Sequence, residues 1–190
     1  MKEKIENLKI VGFDERIPHL THKTKEGDKI KLGSLEIEPF FVPFHTSGHL
    51  VYTIKEIGSD RLCLMSGDTL FLAGSGRFFE GDANQAFQAF KKIRSLPPHT
   101  LIFCGHEYSI TNLKFALSIE PNNPEISKKL EWAIERRNHY LPTIPSTLSE
   151  ELLHNPFLRY DIAQVSQAVS IPLEDPVSII SSLRERKNNF

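Results

Sequence analysis

The sequence predicts an α+β protein, with a strand-rich region over residues 1–107 and a helical region over 108–190. Three observations predict it. Short apolar runs separated by turn residues fill the first region. Helix-start signals stand at Asp82, Asn123-Pro124 and Asp175-Pro176, two of the three in the second region. Three of the apolar runs end on His45, Asp68 and His106, side chains of types that bind metals.

Taken in order, "KIKLGSLEIEPFFV" alternates apolar residues and breaks at Gly33-Ser34, which predicts a hairpin. "LVYTI" and "RLCLM" predict two more strands, divided by the turn-like "GSD" at 58–60. Asp82 is a good N-cap for a helix in which Phe87, Phe90 and Ile93 recur at helical spacing, and Pro97-Pro98 ends it. "TLIFC" predicts another short strand. Asn123-Pro124 opens a helix with Ile126, Leu130 and Ile134 on one face, and Asp175-Pro176 opens the last helix. "LPTIPSTLSEELLHNPF" is rich in Pro, Ser and Thr and is expected to cross the surface as an extended segment.

Composition narrows the function classes. A net charge of -1 over 190 residues gives no electrostatic case for nucleic acid or an anionic membrane. No apolar run approaches the roughly 20 residues that span a bilayer. "MKEKIENLKI" lacks the apolar core of a secretory signal. Cys63 and Cys104 form no CxxC pair and read as buried, reduced thiols, which points to the cytoplasm.

The strand ends carry the chemistry. In "SGD" and "CGH" a glycine precedes the polar residue and lets the strand turn sharply and aim it. Imidazole and carboxylate suit zinc, iron or manganese, and a carboxylate can bridge a metal pair. Ordinary capping and turn residues explain each junction equally well, and on these residues alone both readings stand. His49, four residues after His45, is expected to hydrogen-bond the loop rather than bind metal. His19 and His22 read as surface residues, and His99, His139 and His154 are given no role.

"FHTSGH", "SGDTLFLAGSGRFFEG", "CGHEYSITNLKFA", "IEPNNP", "PTIPSTLSEELLHNPFLR" and "DPVSIISSLRERKNNF" together resemble the glyoxalase II (hydroxyacylglutathione hydrolase) family of the metallo-β-lactamase superfamily. The resemblance implies a metallo-β-lactamase-like αββα sandwich followed by a small helical substrate-binding domain. It implies hydrolysis of a thioester such as S-lactoylglutathione to glutathione and a 2-hydroxy acid, with two metal ions, zinc, iron or manganese. Position by position, it makes His45 a ligand of one metal, His106 a ligand of the other, and Asp68 the bridging carboxylate. It assigns contacts with glutathione to Arg77, Tyr108, Arg184 and Lys187, and to a family tyrosine replaced here by Phe79. At i and i+3, Arg184 and Lys187 share a helix face and could clamp peptide carboxylates; as cations in a last helical turn they would also complement the helix dipole.

The family's main metal motif, His-x-His-x-Asp-His, occurs nowhere in the sequence. Aligned to the family pattern, Met1 falls just after that motif. The expectation is therefore a family member lacking its N-terminal segment, with metal occupancy in doubt and thioester hydrolysis impaired or absent. The alternative is a non-catalytic module that binds glutathione conjugates or other partners. A small-molecule glutathione thioester as ligand, no nucleic acid, no membrane and a monomeric state complete the expectations. A mitochondrial location enters only if a leader precedes residue 1.

Overall fold

In the computed structural model, residues 5 and 7–190 are described; the remaining residues of the expected N-terminal region, 1–4 and 6, lie outside the described residues. Among the described residues the first elements are β1 (Val11–Gly12) and β2 (His22–Lys23), which pair in parallel. β3 (Ile30–Leu32) and β4 (Leu35–Phe41) form the predicted hairpin. It turns at Gly33, whose φ of 59° favours glycine. β5 (Leu50–Glu56) and β6 (Leu62–Gly67) extend the meander.

A small hairpin, β7 (Leu70–Phe71) and β8 (Gly74–Ser75), leads to α1 (Ala83–Arg94). Asp82 caps α1 as predicted, in a capping box with Gln85. β9 (Leu101–Cys104) then enters the sheet parallel to β6. α2 (Ser109–Ile119) and α3 (Pro124–Asn138) pack together. β10 (Ser146–Thr147), α4 (Leu148–His154), a 3-10 turn at Pro156–Leu158, α5 (Ala163–Val169) and α6 (Pro176–Asn188) complete the chain. The main sheet has the order β10-β9-β6-β5-β4-β3, antiparallel except for β6 and β9. This is an α+β arrangement, with most helices after the strands.

The two regions share one core. Val51 and Leu64 from the strands, with Val42 and Phe44 from the loop after β4, pack with Phe90 and Ile93 of α1 and with Phe157, Ile179 and Leu183 from the tail. A second cluster buries Leu72 and Ala73, the tip of the β7–β8 hairpin, among Leu113, Ala116, Ile126 and Ala133 of α2 and α3.

Three expectations need correction. Residues 141–157 do not run as an extended surface segment. Thr147 and Glu150 form a capping box that starts α4, and Leu148, Glu151, His154 and Phe157 are buried. The prolines that suggested an extended chain, Pro142, Pro145 and Pro156, flank that helix. On α3 the buried stripe runs through Ile126 and Ala133, while Ile134 is exposed. Seven residues come within about 20° of two full turns, so position 133, not 134, returns to the core face. Cys63 and Cys104 are both free thiols, half-buried rather than buried.

Sheet topology brings the site together. β6 and β9 run in parallel, so their C-terminal ends lie side by side, and the Gly105 amide donates to the Gly67 carbonyl at 2.9 Å. Phe41 at the end of β4 pairs with Leu50 at the start of β5, and Tyr52 pairs with Met65 near the end of β6. The loops carrying His45, Asp68 and His106 therefore leave the same edge of the sheet.

Candidate functional site

The Nδ1–H of His45 donates to the Arg77 carbonyl at 2.9 Å, because a carbonyl can only accept. That fixes the other nitrogen, Nε2, toward Asp68 Oδ2 at 3.3 Å. His106 Nε2 stands 3.4 Å from the same carboxylate oxygen. Two imidazole nitrogens thus flank one carboxylate oxygen.

Glycine permits this approach. Gly67, before Asp68, has φ 49° within an irregular stretch of the β6–β9 pairing. A Cβ on Gly105 would fall 2.5 Å from Asp68 Oδ1. The glycines before Asp68 and His106 therefore serve a sharp turn in one case and a close approach in the other.

Among the described residues, His49 makes no hydrogen bond through its ring, contrary to expectation. Its main chain closes the turn instead, accepting from Val42 and donating to Thr46. The ring meets His45 edge-on and lies against Gly67. Burial pushes its pKa down, the neighbouring His45 adds to that, and Asp68 opposes it.

His45, Asp68 and His106 line a cavity of about 610 Å³ together with every residue assigned to substrate: Arg77, Phe79, Tyr108, Arg184 and Lys187. The His106 ring stacks on Tyr108 with centroids 4.9 Å apart, and Phe71 meets Tyr108 edge-on at 5.3 Å. Phe79 is exposed and sits 5.1 Å from the His45 ring.

The two tail cations differ in role. Arg184 is buried and ties α6 inward, donating to the Ser75 carbonyl at 2.8 Å and to Asn188 at 2.9 Å. Burial, with repulsion from Arg77, brings its pKa down to about 10. Lys187 donates to the Thr111 carbonyl and lies between the Phe115 and Phe190 rings. Burial, followed by repulsion from Arg184, lowers its pKa to about 8. Arg184 commits two of its five N–H donors to these partners and Lys187 one of its three, so both cations on the cavity wall keep donors that can meet an anion.

Sequence reasoning passed over Phe71, Thr111, Asn112, Asn188 and Phe190 on the cavity wall. Helical spacing carried part of that signal. Thr111 and Asn112 follow Tyr108 at i+3 and i+4, and Asn188 follows Arg184 at i+4.

Comparison with known proteins shows the family. The family model described as "Metallo-beta-lactamase superfamily" matches residues 3–106, and "Hydroxyacylglutathione hydrolase C-terminus" matches 107–190. "Hydroxyacylglutathione hydrolase cytoplasmic" of Arabidopsis thaliana is 38% identical, over 100% of this chain and 74% of its own length. The chain belongs to the hydroxyacylglutathione hydrolase family, within the metallo-β-lactamase superfamily.

"Hydroxyacylglutathione hydrolase-like protein" of Gallus gallus is 44% identical, covering 96% of this chain and 65% of the relative. The chain thus spans about two thirds to three quarters of the curated relatives it matches. A metallo-beta-lactamase of Staphylococcus aureus shares the fold at TM-score 0.54 and 19% identity, covering 88% of this chain and 45% of that one. ETHE1 of Myxococcus xanthus does so at TM-score 0.55 and 21% identity, covering 90% and 56%. The α+β fold expected from sequence is the fold of this superfamily.

Membership of the superfamily implies a metal, and the donors fit in kind. With Nδ1 bonded to a carbonyl, His45 turns Nε2 toward the Asp68 carboxylate, an arrangement that a positive charge between them, a metal ion or a proton, stabilises. They fit less well in number. Among the described residues, no three His, Cys, Asp or Glu side chains gather closely enough to hold an ion. Asp68 joins two separate imidazole–carboxylate pairs instead.

Proposed function

We propose that the cavity binds S-(2-hydroxyacyl)glutathione thioesters, and that in the full family architecture they are hydrolysed there to glutathione and a 2-hydroxy acid. The observation that carries the reading is the cavity wall. His45, Asp68 and His106 share it with Tyr108 and with Lys187, a cation that has no carboxylate partner among the described residues. The names of the relatives support the substrate class.

His45 with Asp68, and His106 with Asp68, would each hold one divalent ion, with zinc, iron or manganese all compatible with these donors. When bound, such ions supply Lewis-acid polarisation of the thioester carbonyl and a water made acidic enough to react at neutral pH. The chain's own contribution is positioning. Arg77 fixes the His45 ring through its carbonyl, Tyr108 braces His106 by stacking, and Lys187 receives a carboxylate of the glutathione peptide. Phe79 offers an aromatic face where a tyrosine would also offer a hydroxyl.

Each pair supplies two protein ligands, against the three plus water usual for catalytic zinc. Hydrolysis by the 190-residue chain is accordingly expected to be weak or absent. The test is to purify this chain, add zinc, iron or manganese, and assay S-lactoylglutathione hydrolysis and bound metal. Turnover at the level of the full-length relatives, with two tightly held ions, contradicts the expected impairment.

A second reading, a module that binds glutathione conjugates without hydrolysing them, draws on the same wall and on Lys187. Thermal stabilisation by glutathione without turnover favours it.

A further inference from the structure

The tip of the β7–β8 hairpin is a buried turn, and among the described residues the hairpin has no further strand neighbour. Leu72 and Ala73 are buried, and Ala73 holds φ 53°, a left-handed conformation that strains a residue with a Cβ. Buried backbone groups need partners, and a tight turn cannot supply them all. Here they come from side chains of the helical region. Glu151 Oε2 accepts from the Ala73 amide at 2.9 Å. Asn155 donates to the Phe71 and Gly74 carbonyls at 3.2 and 3.1 Å and to Glu151 Oε2 at 2.9 Å. Asn112 donates to the Leu72 carbonyl at 3.0 Å.

The same hairpin forms part of the cavity wall. Phe71 packs against His106 and Tyr108, and Ser75 accepts from Arg184. Glu151 and Asn155 do not line the cavity, and both are wholly buried. A fully buried carboxylate is costly to keep in a core unless it does something an apolar residue cannot. Holding a strained turn by its amide is such a task.

We propose that Glu151 and Asn155, four residues apart at the end of α4, are positioning residues for the glutathione-conjugate site: they clamp the β7–β8 hairpin so that Phe71 supports Tyr108 and His106, and Ser75 anchors Arg184. The inference rests on the proposed binding of glutathione conjugates, but its structural half can be read without any ligand.

The experiment compares the 190-residue chain with Glu151→Ala, Glu151→Gln and Asn155→Ala. The dissociation constant for S-hexylglutathione is measured by calorimetry well below each melting temperature. Amide exchange at Ala73 and the side-chain NMR signals of Tyr108 and His106 are followed alongside.

Glu151→Ala and Asn155→Ala are each expected to weaken binding about tenfold, the effect of roughly one lost hydrogen bond. Both should shift the Tyr108 and His106 signals, and Glu151→Ala should speed exchange at Ala73. Glu151→Gln keeps an oxygen for the Ala73 amide and should restore binding to near the parent level. A merely structural role would lower melting temperatures and leave the binding constant and ring signals unchanged, and that result overturns the proposal. If Glu151→Ala does not fold, Asn155→Ala, which spares the Ala73 contact, decides it by the same criteria. If the parent chain does not bind S-hexylglutathione, the proposed function fails, and unmoved Tyr108 and His106 signals in the variants overturn the clamp on their own.

Discussion

Gly105 stands so close to Asp68 that the smallest side chain would collide with the carboxylate: an added Cβ would lie 2.5 Å from Oδ1. The collision would push Asp68 away from the two imidazoles it serves. Gly105→Ala is therefore expected to reduce zinc affinity about tenfold or more, the scale seen when a ligand's support is disturbed. Its melting temperature should fall far less than a core mutation would cause, since Gly105 is exposed. Zinc titration beside a thermal melt checks both halves of the expectation.

Lys187 sets a pH limit on ligand binding. Its pKa of about 8 keeps it protonated at neutral pH, and the charge is lost as pH rises through that value. A bound carboxylate stabilises only the protonated form, so affinity should be greatest below about 8 and fall above it. Calorimetry with S-hexylglutathione between about pH 7 and about pH 9 should show that slope, and Lys187→Met should remove it.

His154 makes stability depend on pH. It is buried, neither ring nitrogen has a hydrogen-bond partner among the described residues, and Glu151 Oε1 lies 3.8 Å from Nε2. Burial pushes its pKa below 6.5, while Glu151 and Glu150 pull it up and Lys129 and Arg159 push it further down. The folded state then binds the proton less well than the unfolded state. Stability is complete above about 6.5 and is lost as pH falls below it. Melting temperatures followed from about pH 7.5 to about pH 5 should drop, and His154→Phe should flatten the curve.

The cap of α4 is a local stability test. Thr147 accepts from the Glu150 amide, and Glu150 accepts from the Thr147 amide at 2.8 Å. Thr147→Ala should cost about 1 kcal/mol by chemical denaturation. It should also loosen α4, which carries Glu151.

What the sequence reveals depends on how local the cause is. The hairpin at Gly33, the cap at Asp82 and the Pro-led starts of α3 and α6 are set within a few residues, and each is legible. α4 has an equally local signal in Thr147 and Glu150, but the surrounding prolines hide it. α2 begins at Ser109 with no side-chain cap, so its start depends on packing and is not marked in the chain. The same holds for Leu72 and Ala73. Their burial requires partners at Asn112, Glu151 and Asn155, far along the sequence. His45, Asp68 and His106 are legible as the polar ends of apolar runs, in the loops that follow β4, β6 and β9. Their meeting at one oxygen follows from the parallel pairing of β6 with β9, which no local pattern announces.

The most direct measurement is a calorimetric titration of S-hexylglutathione into the 190-residue chain and into its Lys187→Ala variant. The account predicts saturable binding of one ligand per chain, and markedly weaker binding by the variant. No binding by the parent chain, or equal binding by both, contradicts it.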